Sequence, residues 1–225
     1  MSESDLAAVW ITLRLAGTTT VVLLLVCIPY AWWLARTSFI GKPIFEALTA
    51  LPLVLPPTVL GFYFLILLNP NSPIGGFVLT LTNTQLTFSF TGLVVASLIY
   101  SLPFMVQPLQ VAFSNVPQAT LETAASLGLN RFARFCWVAL PQSTRGIFAA
   151  TVLTFAHTIG EFGVVLMVGG NIPGETRVVS IAIYEHVEVI AYDQAHILAL
   201  VLLFFSFLAL VAVFLVNRYL PINRF

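Results

Sequence analysis

Five stretches of this chain, at 12–35, 47–68, 86–106, 146–168 and 195–216, are each close to the length of a membrane span and almost free of charge. About 20 apolar residues cross the roughly 30 Å of bilayer hydrocarbon, because an α-helix rises about 1.5 Å per residue. Hydrophobic residues make up 59% of the sequence and charged ones 8%, with a mean hydropathy of +1.00. A soluble domain carries roughly a quarter charged residues, so such a chain has lipid as its solvent. The sequence predicts an all-α polytopic membrane protein of about five spans, one membrane domain over 12–217. A formal net charge of +0 offers nothing to nucleic acid. Cys27 lies inside an apolar run and Cys136 in a basic connection, so no disulfide is expected, and the three histidines show no metal-ligand spacing.

Basic residues orient the spans, since loops rich in Lys and Arg stay in the cytoplasm. Arg36, Lys42, Arg131, Arg134, Arg145, Arg218 and Arg224 fall on one side, and only Arg14 and Arg177 on the other. The N-terminus is therefore expected in the periplasm, the C-terminus and the long loop 107–145 in the cytoplasm. Residues 1–10 hold Glu3 and Asp5 and lack a basic leader, so the first run reads as a retained span. Segment 176–192 carries Arg177, Glu185, His186 and Glu188. Each charge at the bilayer centre costs about 2.5–3.5 kcal/mol, so this segment is expected at the interface or partway into the bundle. Connection 69–85, uncharged and rich in Asn, Pro and Gly, reads as turns.

Within the cytoplasmic loop, Pro117 suits the first turn of a helix, with Asn115 before it as a cap. Ala119, Leu121, Glu122, Ala124, Ala125 and Leu127 favour helix, and Gly128 supplies a stop. A helix of about eleven residues is too short to stand alone and must dock. Leu121, Ala124, Ala125 and Leu127 give it an apolar side, to which Phe132, Phe135 and Trp137 add. Glu122, Ala124 and Gly128, followed by Val138, Leu140 and Pro141, resemble the E-A-A-x3-G-x9-I-x-L-P motif of the permeases of binding-protein-dependent ABC importers. Thr123 stands at an alanine position and Val138 at the isoleucine. The resemblance implies that this segment is the coupling helix fitting a cleft on a cytoplasmic ATPase. The chain itself has no G-x-x-x-x-G-K-[ST] loop, since Gly41-Lys42 runs into Pro43. It is therefore expected not to be an enzyme and to hold no cofactor, with ATP and Mg bound by a separate subunit.

Inside the membrane, Pro52, Pro56 and Pro57 with Gly61 must kink or open the second span, because each proline removes a donor and clashes with the preceding turn. Freed carbonyls at that depth are tolerated against other helices or a water-filled cavity, which suggests a pathway or gate. His157 and Glu161, four apart in the fourth span, are expected on one helical face, where they can pair. Gly160 and Gly163 flank the acid and allow close helix approach. No Lys or Arg lies in the interior of a proposed span, which predicts a low-affinity conduit that leaves selection to an external protein.

Three stretches are similar to permeases of molybdate importers: L-P-L-V-L-P-P-T-V-L-G at 51–61, G-E-F-G at 160–163 and G-N-I-P-G-E-T-R at 170–177. His157 stands where those permeases usually carry Arg. This resemblance implies a homodimer in the bacterial inner membrane, bound to two cytoplasmic ATPase subunits. A periplasmic molybdate-binding protein would dock outside, with Asn171, Pro173, Gly174 and Arg177 as contacts; the bare residues read equally as a turn around Pro173-Gly174. Tungstate and sulfate or thiosulfate are the alternative cargoes. A proton-coupled secondary anion transporter could also bury His157 and Glu161, but would not need the coupling motif.

Overall fold

The computed structural model describes residues 2–219, so Arg224 of the basic tail lies outside the described residues. Helix α1 (Glu3–Arg36) opens with a reciprocal cap. The Ser2 hydroxyl accepts from the Asp5 N–H at 3.2 Å, while the Asp5 carboxylate accepts from the Ser2 N–H at 2.9 Å. At 34 residues α1 is about 50 Å long, so it projects beyond the hydrocarbon and the helix begins well before the expected span.

The second span is two helices, α2 (Lys42–Val54) and α3 (Pro57–Leu67), bent by 109°. The cause is local. A residue before proline is forced towards extended backbone, and here Leu55 (ψ 136) precedes Pro56 (ψ 136), which precedes Pro57. Pro57 then starts α3, where its missing N–H costs nothing. Connection 69–85, expected as turns, contains helix α4 (Pro73–Thr82). Ser72 caps it by accepting from the Gly75 N–H at 2.9 Å, Pro73 begins it, and left-handed Asn83 ends it. The turn-forming residues were its two ends, not its middle.

Helices α5 (Phe90–Tyr100) and α6 (Leu102–Ser114) form the third span with a 41° bend. Helix α6 runs past the expected end of the span at 106, and Asn115 closes α6 instead of capping the next helix. That helix, α7 (Gln118–Ser126), has 9 residues, fewer than expected. A second helical stretch follows as α8 (Arg131–Arg134), a π turn at Phe135–Ala139 and α9 (Leu140–Gln142). The fourth span is α10 (Thr144–Ile159) plus α11 (Gly163–Gly169), bent by 60°. Helices α12 (Val179–Glu188) and α13 (Tyr192–Tyr219) complete the described chain. By length and composition α1 and α13 each cross a bilayer, and the three bent pairs bring the total to five.

Helix α1 is the axis of the bundle. Its Leu23, Cys27, Ala31 and Leu34 pack against Met105, Val106, Leu109 and Phe113 of α6 and Ala150 of α10. Nearer its start, Ile11 and Leu15 meet Leu93 of α5, Val165 of α11 and Ile181 of α12. In lipid no hydrophobic force draws helices together, so close packing and interhelical hydrogen bonds must do so. Helix α12, at 10 residues, is about 15 Å long and cannot cross a bilayer. It is strapped to α1 instead. The Thr12 hydroxyl donates to the Ala8 carbonyl at 2.8 Å and accepts from the Val179 N–H at 2.9 Å, capping α12 from another helix. The Asp5 carboxylate and His186 Nε2 meet at 2.9 Å, both side chains buried.

Replacing Thr12 by Val leaves the first N–H of α12 without a partner. We expect Thr12→Val to destabilise the protein by about 1–3 kcal/mol, read as a lowered unfolding temperature in detergent, with Thr12→Ser close to wild type. Equal unfolding temperatures for Thr12→Val and wild type would show that the hydroxyl does not hold α12.

Candidate functional site

The helix breaks of spans two and four face each other. Helix α3 begins where α11 begins, and a Cβ on Gly163 would stand 2.8 Å from Pro57 Cβ. One turn further along, a Cβ on Gly61 would stand 2.6 Å from Met167 Cβ. The two helices thus cross at a distance that only glycine allows at both points. Beside this crossing lies a cavity of about 600 Å³, whose lining includes Pro57, Thr58, Tyr100, His157, Glu161 and Gly163. Gly160 also lines it, so the fold gathers most of the membrane residues singled out above at one place. Pro52, buried in α2, and Pro56, exposed on the bend, do not line it.

The expected pairing of His157 with Glu161 does not occur. Helix α10 stops at Ile159, the Gly160 N–H closes a tight turn on the His157 carbonyl at 3.1 Å, and Glu161 lies beyond the helix. The i,i+4 relation therefore no longer places the two on one face. Glu161, 3% exposed, accepts at Oε2 from Ser97 of α5 at 2.9 Å. Its main-chain carbonyl, freed by the break, accepts from the Ser180 hydroxyl of α12 at 2.5 Å. Oε1 has no partner among the described residues. The His157 ring stacks on Phe104 at 3.7 Å and 17° and lies 5.0 Å from the Tyr100 ring. Its Nε2 is likewise unpartnered among the described residues. Ser97 and Ser180 went unnoticed in the sequence because a lone serine in an apolar helix leaves no periodic signal.

In the loop between spans three and four, α7 ends in a two-bond cap. The Leu129 N–H reaches back to the Ala124 carbonyl at 3.1 Å and the Gly128 N–H to that of Ala125 at 3.0 Å, with Gly128 at φ 89. Leu121 and Ala124 are buried against the chain, whereas Leu127 is 76% exposed. Glu122 points outward and accepts from the Gln118 amide at 3.2 Å. The second helical stretch splits its aromatics. Phe135 packs on Trp32 and Phe113, while Phe132 and Trp137 are exposed. The π turn has a reason in Pro141, whose ring would clash with the carbonyl four residues earlier. Widening the helix, so that the Leu140 N–H bonds the Phe135 carbonyl, relieves that crowding. Leu140 itself packs against the α1–α6 core.

The loop after α11 is knotted onto one carbonyl. That of Ile172 accepts from the N–H groups of Glu175, Thr176 and Arg177. Asn171, Pro173 and Gly174 are exposed, but Arg177 is 6% exposed and pairs with Glu185 of α12 at 2.9 Å. Asn171 donates to the same carboxylate at 3.0 Å. Arg177, expected among the outward contacts, is thus an internal strut.

A chain of bent spans around a central helix, with a short helix in the connection between spans three and four, is the architecture of an importer's membrane subunit. Residues 27–221 match the family described as binding-protein-dependent transport system inner membrane component, and the chain belongs to that family. Molybdenum transport system permease protein ModB of Azotobacter vinelandii is 52% identical over 219 residues, covering 97% of each chain. The ModB of Escherichia coli is 33% identical over 188 residues, 84% of this chain and 82% of that protein. Among solved structures, a bacterial ABC transporter involved in the import of the acidic polysaccharide alginate superposes with a TM-score of 0.75. It covers 97% of this chain and 79% of that one at 19% identity, a likeness of fold.

Adding bulk at the α3–α11 crossing should force the helices apart. We expect Gly163→Val to cost about 1–3 kcal/mol through overpacking against Pro57, read as a lower unfolding temperature in detergent, whereas Gly163→Ala costs less. A valine variant as stable as wild type would show that the crossing does not depend on glycine at 163.

Proposed function

We propose that this permease carries molybdate inward as a homodimer, driven by two cytoplasmic ATPase subunits and supplied by a periplasmic molybdate-binding protein. The observation that carries the cargo is the 52% identity to a molybdenum transport permease along almost the whole chain. The N-terminus lies in the periplasm and the loop holding α7 in the cytoplasm, as the distribution of Lys and Arg supports. Domain 12–217 acts as one transmembrane unit. Glu122, Ala124, Gly128, Leu140 and Pro141 form the element that meets the ATPase. Leu127, Phe132 and Trp137, exposed around it, supply apolar area for that contact.

The mechanism needs no bond chemistry from this chain. ATP and Mg are held by the partner, where hydrolysis occurs. Closure of the ATPases displaces α7, and the spans bend where their helices are already broken, at Leu55–Pro56, Ser101 and 160–162. Pro52, Pro56, Pro57, Gly61, Gly160 and Gly163 set those hinges, and the cavity lined by His157 and Glu161 is a station on the pathway. Among the described residues its lining holds no Lys or Arg, so an oxyanion passes without being trapped. Asn171, Pro173 and Gly174 offer the exposed face to the binding protein, and Arg177 holds that face in shape.

The test is uptake of labelled molybdate into proteoliposomes holding the permease, the ATPase and the binding protein. ATP-dependent uptake competed by tungstate and not by sulfate is expected. Sulfate uptake without molybdate uptake would overturn the cargo. Gly128→Pro cannot adopt φ 89, since proline is locked near −65°, and Glu122→Lys reverses the charge offered to the partner. Both should lose ATPase association and most uptake. Normal assembly and transport in both would show that α7 is not the coupling element.

A further inference from the structure

Arg36, the last residue of α1, is only half-buried, yet its side chain is held against the protein by several contacts at once. Its guanidinium is turned onto the corner between α6 and α7. Nη2 donates to the Phe113 carbonyl at 2.8 Å and to the Val116 carbonyl at 2.6 Å. The first is in the final turn of α6, where carbonyls lack helical partners, and the second directly precedes Pro117 and α7. Nη1 reaches the Gln118 side-chain carbonyl at 3.4 Å, and the same amide donates to Glu122 at 3.2 Å. The guanidinium also lies over the Trp32 ring, 5.0 Å from its centroid. Below it Trp32, Phe113 and Phe135 form one aromatic cluster joining α1, α6 and the π turn. Among the described residues no carboxylate pairs with Arg36.

Helix α7 is joined to α6 by residues 115–117 alone, so the chain itself ties those two together. Nothing in the covalent chain ties α7 to α1, which lies some eighty residues earlier at the centre of the bundle. The fork of Arg36 makes that tie: one nitrogen serves both main-chain carbonyls, the other reaches the amide, and the planar face lies over Trp32, a combination that a lysine ammonium cannot reproduce.

We propose that Arg36 is a positioning residue that locks the coupling loop to the first span, through Gln118 as far as Glu122, so that a displacement of α7 moves α1 and α6 as one body. This rests on the reading of α7 as the element that meets the ATPase. The clamp does not touch the cargo or the nucleotide. It sets how much of the ATPase movement reaches the membrane.

The test uses the whole transporter in proteoliposomes, with ATP hydrolysis and molybdate uptake measured on the same sample for Arg36→Ala, Arg36→Lys and Gln118→Ala. Molybdate moved per ATP hydrolysed should fall roughly threefold to thirtyfold in both Arg36 variants, because lysine cannot form the fork. Gln118→Ala, which keeps both carbonyl bonds and loses the reach to Glu122, should fall less. A merely structural role lowers hydrolysis and uptake together by loss of folded protein, leaving their ratio at the wild-type value, and that result overturns the proposal. Should Arg36→Ala fail to assemble, the other two variants still decide it by the same ratio. Glu122→Lys run alongside separates the two ideas. A wild-type ratio in the Arg36 variants beside a defective Glu122→Lys removes the clamp alone, whereas normal transport by Glu122→Lys removes the coupling reading beneath it.

Discussion

Backbone groups exposed to lipid have no water to bond, and every helix end inside the bilayer must therefore be met by another part of the protein. This chain breaks three of its five spans, and around the break in the fourth it meets that demand with small hydroxyls from α12 and from the loop that leads to it. Ser180 donates to the carbonyl of Glu161 and Thr176 to that of Gly169, so the freed carbonyls after α10 and at the end of α11 are both covered. The Phe88 N–H bonds the Val168 carbonyl at 2.8 Å, tying the entry of α5 to α11. Thr12 caps α12 in the same manner from α1. Each bond alone contributes little, about 0.5–1.5 kcal/mol net, but an unmet group in hydrocarbon would cost several times that.

The placement of those hydroxyls decides where the spans can bend. A helix broken at random depth would need new partners at every position, while one broken beside Ser180 or Thr176 already has them. The breaks consequently gather on one side of the bundle, where α3 meets α11 across Gly61 and Gly163, and leave the cavity next to that crossing. Continuous helices occupy the other positions. Helix α1 supplies the axis, and α13 faces outward with Leu203, Phe204, Phe207 and Phe214 exposed as a lipid-facing span would be.

What was legible in the sequence follows the range of each interaction. Apolar runs about 20 residues long and the bias of Lys and Arg are properties of contiguous segments, so the five spans could be read directly. The break at Pro56–Pro57 was also local, because proline acts on its immediate neighbours. The failures were cases in which a distant partner, or the neighbouring element, changed the local outcome. His157 and Glu161 look like a pair only while the helix between them continues, but it ends at Ile159, and the carbonyl of Glu161 beyond that end is served from α12. Asn115 looks like a cap for the helix after it, yet it closes the helix before it. Arg177 reads as an exposed charge on a turn, and Glu185 of α12 draws it inside. Helix α4 was hidden because its Pro and Gly residues read as turns when they were its first turn.

The same distinction separates the two halves of the molecule mechanically. At the corner beside α7, helices are joined by bulky aromatics and by a charged fork, as Trp32, Phe113, Phe135 and Arg36 show. Such contacts are directional and leave little room for sliding. At the membrane breaks, contact is made by glycine, serine and threonine, whose bonds can be exchanged for equivalent ones after a small shift. A body that is stiff where force enters and compliant where the helices are broken converts a displacement of α7 into bending at the cavity. The reverse arrangement would lose the displacement at the corner. The distribution of residue size along the chain is therefore itself a mechanical specification, with aromatic and guanidinium groups at one end of α1 and small hydroxyl residues along its middle.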